Sequence, residues 1–573
     1  MVCLVDLDLS VDIIVTFSWP PSSPMAFIRR RRSHVLAALC FIVLFCFLFM
    51  STHFRGANEG EGGYGVNIRR EDLSEDERTE YDKGFKNNAF NQYVSDRISL
   101  RRSLSSPPRQ CRYEKYPKNL PKTSIIICFH NEAWSTLLRS VHSVLDRSPL
   151  HLVSEILLVD DFSDAAHLKK PLDEYMAQFE KVRIIRLGRR EGLIRARLVG
   201  ASRATGTVLT FLDSHIECME GWLEPLLARI KQSSKNVASP VIDTINSINL
   251  EYGFASTSLY GGFDWNLNFK WYKAPDRVLD ARERKIDPLP TPTIAGGLFS
   301  IDKRFFYTLG AYDPDFETWG AENLELSFKT WMCGGRLEII PCSHVGHIFR
   351  KKSPYKWPRG TGIIGYNNLR LAAVWMDDYK RYYYKWRNVT EDTDYGDVSD
   401  RVALRKRLNC KSFQWYMENV FPEQFVPGEA IGSGEIRSKA NRSLCLDAKM
   451  EKYSPLTASP CNGKEWYLSQ RGEIRLFDFC LQYGEGLPIP RLASLLRMSV
   501  EMTSCNLQQD SQEWKYDSYT GQISHALTGW CLTMTEDSGT MAMNDCDDTD
   551  PHQKWEFQNF YGFRARNYTL SQL

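Results

Sequence analysis

Thr207-Val208-Leu209-Thr210-Phe211-Leu212-Asp213-Ser214-His215 starts as an almost unbroken strand-forming run and stops on a carboxylate and an imidazole. A run without polar alternation fits a strand buried on both faces, and such strands belong to largely parallel sheets. The same shape occurs upstream. Ser124 to Phe129 runs into His130-Asn131-Glu132, Glu155 to Val159 runs into Asp160-Asp161, and Lys181 to Arg186 is a further strand-like run. Helical patterns such as Ala133 to Leu145 lie between them, which is βαβ alternation. Open α/β sheets bind ligands beyond the carboxyl ends of their strands. Each polar strand end taken alone reads as a solvated loop start; three together point to a shared site. The chain has no G-x-G-x-x-G opening the first unit and no G-x-x-x-x-G-K-[ST], which argues against a dinucleotide cofactor or a P-loop. A nucleotide would then be held most simply through a metal.

Residues two apart on a strand face one side, so Asp213 and His215 can reach one ion. A carboxylate with an imidazole suits Mn2+, which would neutralise a diphosphate and improve it as a leaving group. His344 and His347 each offer a third ligand; a buried histidine bonded to backbone is the equal alternative for both. Trp319, Glu322 and Glu325 combine an aromatic ring with carboxylates, a usual way to hold a sugar, against the plainer reading of a solvated helix start. Arg350, Lys351, Lys352 and Tyr355, followed by Gly360-Thr361-Gly362, read either as a lid over a diphosphate or as a solvated basic loop.

Beyond Val426 the character changes. Residues 427–434, rich in Pro and Gly, read as a linker, and residues 435–573 carry an imperfect threefold repeat. Its copies are Cys445-Leu446-Asp447 with Cys461 and Lys464-Glu465-Trp466, Cys480-Leu481-Gln482 with Cys505 and Gln512-Glu513-Trp514, and Cys531-Leu532-Thr533 with Cys546 and Gln553-Lys554-Trp555. One cysteine pair per copy suggests a disulfide within each repeat, and the scarcity of helical signals makes this part all-β. Toward the other end, Arg29 to Arg32 precede an apolar run from Val35 to Met50. This reads as a cytoplasmic tail (1–32) and a transmembrane signal-anchor (33–52), with the C-terminal bulk lumenal. A cleaved signal peptide is the rival, disfavoured because His53, Phe54 and Arg55 follow instead of small residues. Met25 offers a second start to Met1. Residues 53–110 are polar and charged and read as a stem, and an ordered domain spans 111–426.

The 573 residues suit several domains, and 43% hydrophobic with 25% charged residues is ordinary globular composition. A net charge of +2 gives no reason to expect nucleic-acid binding. Fifteen cysteines without a CxxC pair cluster fit structural disulfides in the secretory pathway better than zinc. N-glycosylation triplets at Asn388, Asn441 and Asn567 are compatible with that location.

From Cys111 onward the chain resembles the polypeptide N-acetylgalactosaminyltransferases. The stretches Phe129-His130-Asn131-Glu132-Ala133, Arg190-Glu191-Gly192-Leu193, Leu212-Asp213-Ser214-His215, Gly261-Gly262-Phe263-Asp264-Trp265-Asn266, Ala295-Gly296-Gly297-Leu298-Phe299, Trp319-Gly320-Ala321-Glu322-Asn323, Cys333-Gly334-Gly335 and Val345-Gly346-His347 fall in family order. The resemblance implies an α/β GT-A (Rossmann-like) catalytic domain followed by an all-β ricin B-type β-trefoil lectin domain, behind a single-pass transmembrane helix in the Golgi membrane. It implies UDP-GalNAc as donor, Mn2+ as cofactor, retention at the sugar, and Ser/Thr-rich polypeptides or GalNAc-bearing glycopeptides as acceptors. By motif, Asp213, His215 and His347 match the metal ligands. His130, Asp161 and Arg190 match donor-binding positions, Gly297, Trp319 and Glu322 the sugar-side and catalytic ones, and Arg350 and Tyr355 the lid. The family pattern pairs Cys111 with Cys342 and Cys333 with Cys410, leaving Cys128 and Cys218 unpaired in the lumenal part.

Three positions depart from the pattern: Ala321 stands where the family has a second glycine, Cys128 where many members have Thr, and Ser353 where a lid histidine is common. In the lectin part only the first copy keeps an Asp, Asp447, with Asn462 as its partner, so at most one strong sugar site is expected. The loop between its cysteines is short. Two other readings stand beside the transferase: a catalytically weak lumenal glycoprotein-binding or regulatory relative, favoured by Ala321, and a transferase for another UDP-sugar.

Overall fold

The computed structural model describes residues 59–351, 354, 362–390, 392–483, 500–507, 509–535, 539–562 and 564. The expected tail and signal-anchor (1–32 and 33–52) and Tyr355 lie outside these residues; among the described residues no helix is long and apolar enough to cross a membrane.

Four strands that the apolar runs predict are formed: β1 (Thr123–Phe129), β2 (Val153–Asp160), β3 (Val182–Arg186) and β4 (Val208–Asp213). They lie parallel in the order β3-β2-β1-β4. Phe299–Asp302 continues the sheet antiparallel to β4, then Asn236–Ile245 and Arg336–Ile348 follow as a parallel pair. The side-chain period of two sorts each run between two cores. Ile126, Cys128, Leu157, Val159, Leu209 and Phe211 enter one; Ile125, Ile127, Phe129, Ile156, Leu158, Val208 and Leu212 enter the other. Each large apolar side chain so buried contributes about 1.5–3 kcal/mol, which is why these runs need no polar alternation. The helix Trp134–Arg147 covers the second face through Leu137, Leu138, Val141 and Val144.

The stem reading of residues 53–110 is corrected from Gly60 onward, where the chain is a folded arm bound to the α/β part. Ser74 caps the helix Glu75–Asn88 in a reciprocal capping box with Glu77. Beyond it, Phe90, Val94 and Ile98 are buried against Ala133, Met219, Ile245, Tyr252 and Ile348. The Arg102 guanidinium forms a bidentate pair with Glu217 at 2.9 and 2.7 Å, with both side chains at most 3% exposed. Composition misleads here because few apolar residues suffice when they fall on one side, and because a charge counted as solvated is buried with its partner.

Residues 427–434 are likewise no free tether. Pro427–Glu429 forms a 3-10 turn, Ala430 and Ile431 are buried, and the strand Gly432–Ser438 already belongs to the β-rich part. Gly432 is there for close packing: a β-carbon would crowd the Phe557 ring at 2.9 Å. The threefold repeat is visible in three buried tryptophans. Trp466, Trp514 and Trp555 donate their indole N–H to the carbonyls of Leu446, Leu481 and Leu532 at 2.9, 2.9 and 3.0 Å, each the leucine of its own Cys-Leu pair. The β-rich part packs on the α/β part through Trp386 stacked on Phe477, ring centroids 3.9 Å apart, and Lys385 paired with Glu465 at 2.6 Å.

Candidate active site

At the end of β4 the chain passes Ser214 and His215 into the short strand Ile216–Cys218, which pairs antiparallel with Arg336–Ile348 in the register Ile216 to His347. The Ile348 N–H donates to the His215 carbonyl at 3.1 Å. This pairing brings one ligand atom each of Asp213, His215 and His347 within 4.8 Å of one another. His347 Nε2 is 3.3 Å from Asp213 Oδ2, and the two imidazole centroids are 4.6 Å apart.

Glu132, just beyond β1, organises this group. Its buried carboxylate accepts from His215 Nδ1 at 3.0 Å, Ser214 Oγ at 2.9 Å and Arg350 Nη2 at 2.7 Å. Donation from Nδ1 leaves Nε2 as the lone-pair nitrogen of His215, the arrangement a metal-binding histidine needs. Burial opposes ionisation of Glu132, but Arg350 and His215 outweigh it and hold the carboxyl well below its usual range. Asp213 behaves alike: burial opposes its charge, and the His347 hydrogen bond and Arg197 overcome it. Burial and the Arg350 charge together keep His215 neutral more readily than usual, Glu132 opposing. One anionic carboxylate and two imidazoles fit a divalent first-row cation. The other ring nitrogen of His347, Nδ1, is buried without a hydrogen-bond partner.

Arg197, on the helix Leu193–Arg203, ties the group to the opposite wall. It donates to Asp213 Oδ1 at 3.0 Å and to the Gly296 and Gly297 carbonyls at 2.8 and 3.2 Å. These residues open on a cavity of about 440 Å³ that is also lined by His130, Asp161, Arg190, Trp319, Glu322 and Arg350. Asp161 accepts from the Glu191 and Gly192 amides at 2.7 and 2.9 Å and pairs with Arg190. The His130 Nδ1–H donates to the Asp161 carbonyl at 2.9 Å; burial and the Arg190 charge push its pKa down to about 4, so the ring is neutral. Cys128 lines the same wall, its thiol pushed up to about 12 by burial.

On the other side, the loop before the helix Glu322–Met332 has positive φ at Thr318 (46°), Gly320 (104°) and Ala321 (70°). Ala321 therefore does occupy the left-handed conformation that favours glycine, at a cost of about 1 kcal/mol. Asn367 holds the loop from behind: its Oδ1 accepts from the Glu317 amide at 2.8 Å, and its Nδ2 donates to the Glu317, Trp319 and Gly320 carbonyls. Glu322 Oε2 accepts from the Gly320 amide at 2.8 Å. Burial raises the Glu322 pKa, with Arg197 opposing. Trp319 is 47% exposed at the cavity rim.

Of the two candidate histidines, only His347 reaches the cluster. His344 is buried elsewhere, its Nδ1 2.9 Å from Asp243 Oδ2. Glu325 also turns away, into a buried pair with Lys329 at 3.1 Å. Glu132, Arg197 and Asn367 were not singled out from sequence; only Glu132, within Phe129-His130-Asn131-Glu132-Ala133, carried a motif signal. In the first β-rich repeat Asp447 and Asn462 do meet, Asn462 Nδ2 lying 3.4 Å from Asp447 Oδ2. That carboxylate is already engaged, however, accepting from Ser459 Oγ at 2.7 Å and ion-paired with Lys464. Among the described residues, five disulfides join Cys111 to Cys342, Cys333 to Cys410, Cys445 to Cys461, Cys480 to Cys505 and Cys531 to Cys546, and Cys128 and Cys218 are free and buried.

The chain matches the family model for glycosyl transferase family 2 over residues 124–306 and that for the N-terminal domain of galactosyltransferase over residues 280–352. Residues 432–555 match the ricin-type beta-trefoil lectin domain. Polypeptide N-acetylgalactosaminyltransferase 5 of Caenorhabditis elegans is 51% identical over 521 residues, covering 89% of this chain and 81% of that protein. Putative polypeptide N-acetylgalactosaminyltransferase 9 of Drosophila melanogaster is 49% identical over 515 residues, covering 88% and 77%. Among solved structures, the crystal structure of GalNAc-T7 with UDP, GalNAc and Mn2+ aligns with a TM-score of 0.62 at 34% identity, covering 88% of this chain and 93% of that one. With a GT-A catalytic part joined to a ricin-type lectin part, and with 51% and 49% of the aligned residues identical to the Caenorhabditis elegans and Drosophila melanogaster proteins over most of both chains, the chain belongs to the polypeptide N-acetylgalactosaminyltransferase family.

Proposed function

We propose that this chain transfers N-acetylgalactosamine from UDP-GalNAc to Ser or Thr hydroxyls of polypeptides, with retention at the sugar, and so initiates mucin-type O-glycosylation. Asp213, His215 and His347 hold Mn2+, with Glu132 fixing the tautomer of His215. When bound, the ion neutralises the donor diphosphate and improves it as a leaving group. His130, Asp161 and Arg190 bind the nucleotide end, and Arg350 with Tyr355 covers it. Gly297 lets the chain pack directly against the Asp213 carboxylate on the sugar side of the cavity, Glu322 bonds the sugar hydroxyls, and Trp319 closes the rim. Glu322, already bonded to the Gly320 amide, acts by binding rather than as a nucleophile. The acceptor hydroxyl adds from the face the diphosphate leaves, and the diphosphate takes its proton. A glycosyl adduct on Glu322 would overturn that assignment.

The chain works as a type II Golgi membrane protein with its catalytic part lumenal. The Arg29–Arg32 cluster before the apolar run favours that orientation, and five disulfides suit an oxidising compartment. Its acceptors are Ser/Thr-rich polypeptides and GalNAc-bearing glycopeptides.

The observation that carries the proposal is the convergence of Asp213, His215 and His347 on the wall of a cavity whose other side holds Glu322 and Trp319. The test uses the full chain in detergent with UDP-GalNAc, Mn2+ and a Ser/Thr peptide library, beside Asp213→Ala. Mass gain of one N-acetylhexosamine that requires both Mn2+ and Asp213 is expected. UDP binding without transfer would instead favour the weak or regulatory relative, which draws on Ala321 at φ 70°. Competition among UDP-sugars separates a different donor.

A further inference from the structure

Asn388-Val389-Thr390 is an N-glycosylation triplet that the transferase reading leaves unused. Asn388 ends the helix Lys380–Arg387 in the left-handed conformation (φ 51°, ψ 43°), with its backbone N–H on the Lys385 carbonyl at 3.3 Å. Asn388 and Thr390 are exposed. Asn388 also lines a cleft of about 520 Å³ between the α/β part and the first lectin repeat. The cleft walls include Tyr382, Trp386, Tyr467, Phe477 and Tyr561, with Lys385 and Glu465 bridging the two parts at 2.6 Å. Trp386 and Phe477 cover one face of each other, and the aromatic surface that remains in the walls, beside charged and amide groups, is one that pyranose rings can cover with their C–H groups while their hydroxyls are bonded. An occupant tethered to Asn388 needs only weak affinity, in the millimolar range or better, because attachment supplies an effective concentration of about that size.

We propose that Asn388 carries an N-linked glycan whose proximal N-acetylglucosamine residues lie in this cleft and brace the lectin part against the catalytic part. The proposal rests on the lumenal orientation given above. In the attachment step Asn388 Nδ2 bonds to C1 of an oligosaccharide supplied on a polyisoprenoid diphosphate. The C1–O bond to that diphosphate breaks, the diphosphate leaves with the electron pair, and one Nδ2 proton passes to a base of the transferring enzyme.

Asn441 is the internal control. It lies on an exposed turn and accepts from the Ser443 amide and hydroxyl at 3.1 and 2.7 Å. The full chain is produced in eukaryotic cells, and glycopeptide mass spectrometry reads occupancy at both sites. Peptide-N-glycosidase release is then timed on native and denatured protein. We expect Asn388 to be occupied and its native release to be about tenfold slower than after denaturation. We also expect Thr390→Ala to lower the unfolding temperature while Thr390→Ser does not. An unmodified Asn388 beside a glycosylated Asn441 overturns the proposal and leaves the lumenal orientation standing. No glycan at either site overturns both. Native release at Asn388 as fast as in the denatured chain overturns the placement in the cleft.

Discussion

Gly297 lies so close to Asp213 that a β-carbon there would fall under 3.0 Å from Oδ2, while its carbonyl accepts from Arg197. Gly297→Ala must therefore move the Asp213 carboxylate rather than merely fill space. Displacement of a catalytic group by about 1 Å costs on the order of 100-fold in rate. We expect a loss of that size together with weaker Mn2+ binding, measured by calorimetry, and an unchanged unfolding temperature; retained metal affinity would show that Asp213 had not moved. Glu322 illustrates the opposite relation between stability and function. Burial raises its pKa despite Arg197, so the stability it contributes is complete below the unfolded carboxyl value of about 4.3 and declines as pH rises through its folded value. Glu322→Gln keeps the acceptor for the Gly320 amide without the buried charge. It should unfold at a higher temperature than wild type at neutral pH, with the difference shrinking toward pH 4, while activity falls about 100-fold or more. Equal melting temperatures across the pH series would sink this account. Asp213, His215 and Glu322 were legible because their own motifs contain them. Arg197 and Asn367 are not, because their roles are hydrogen bonds to carbonyls 100 residues away (Gly297) and 50 residues away (Glu317) in the chain.

The strands show which element-level readings succeed from sequence. A strand buried on both faces declares itself in its own composition, and its polar end marks the site. Register between strands does not: choosing His347 over His344 required the pairing of Ile216–Cys218 with Arg336–Ile348. The lectin repeats give a comparison within one chain. In the second copy Gln512 Oε1 accepts from the Asn506 amide at 2.9 Å; in the third, Gln553 Oε1 accepts from the Asp547 amide at 2.8 Å. The first copy has Lys464 at this position, and an ammonium has no acceptor to offer. It turns instead to Asp447 and the Ala448 carbonyl. The carboxylate that would meet sugar hydroxyls is thereby filled from inside. Lys464→Gln should raise retention on immobilised GalNAc about tenfold, about 1.4 kcal/mol, and Asp447→Asn in that background should abolish the gain. Asp447 is partly solvated and keeps its Ser459 partner, so loss of the Lys464 pair should shift stability by about 1 kcal/mol or less. Strong wild-type retention, lost in Asp447→Asn, would show that Lys464 does not close the site.

At the scale of the whole molecule the two misread segments share a cause. The readings of residues 53–110 and 427–434 rest on composition, which reports whether a segment can bury a core of its own, not whether it completes another's. The arm from Gly60 to Arg102 is polar and charged in composition, yet it covers Ile245, Tyr252 and Ile348 and neutralises the buried Glu217. It also reaches the site: the Phe90 ring lies 5.4 Å from the guanidinium of Arg350, which bonds Glu132, which in turn orients His215. Loss of the arm should therefore affect both stability and metal binding. Arg102→Ala strands a buried carboxylate, which costs about 3–5 kcal/mol, whereas Arg102→Met with Glu217→Leu removes both charges and should recover most of that loss. Phe90→Ala should cost about 3–5 kcal/mol and, by loosening Arg350, weaken Mn2+ binding as well. Denaturant unfolding and metal titration on the same samples separate the effects. If Phe90→Ala lost stability but bound Mn2+ as wild type does, the arm would be a structural cover only; if both fell together while the Arg102 and Glu217 double variant kept its metal, the Phe90–Arg350 contact would be the route by which the arm reaches the site.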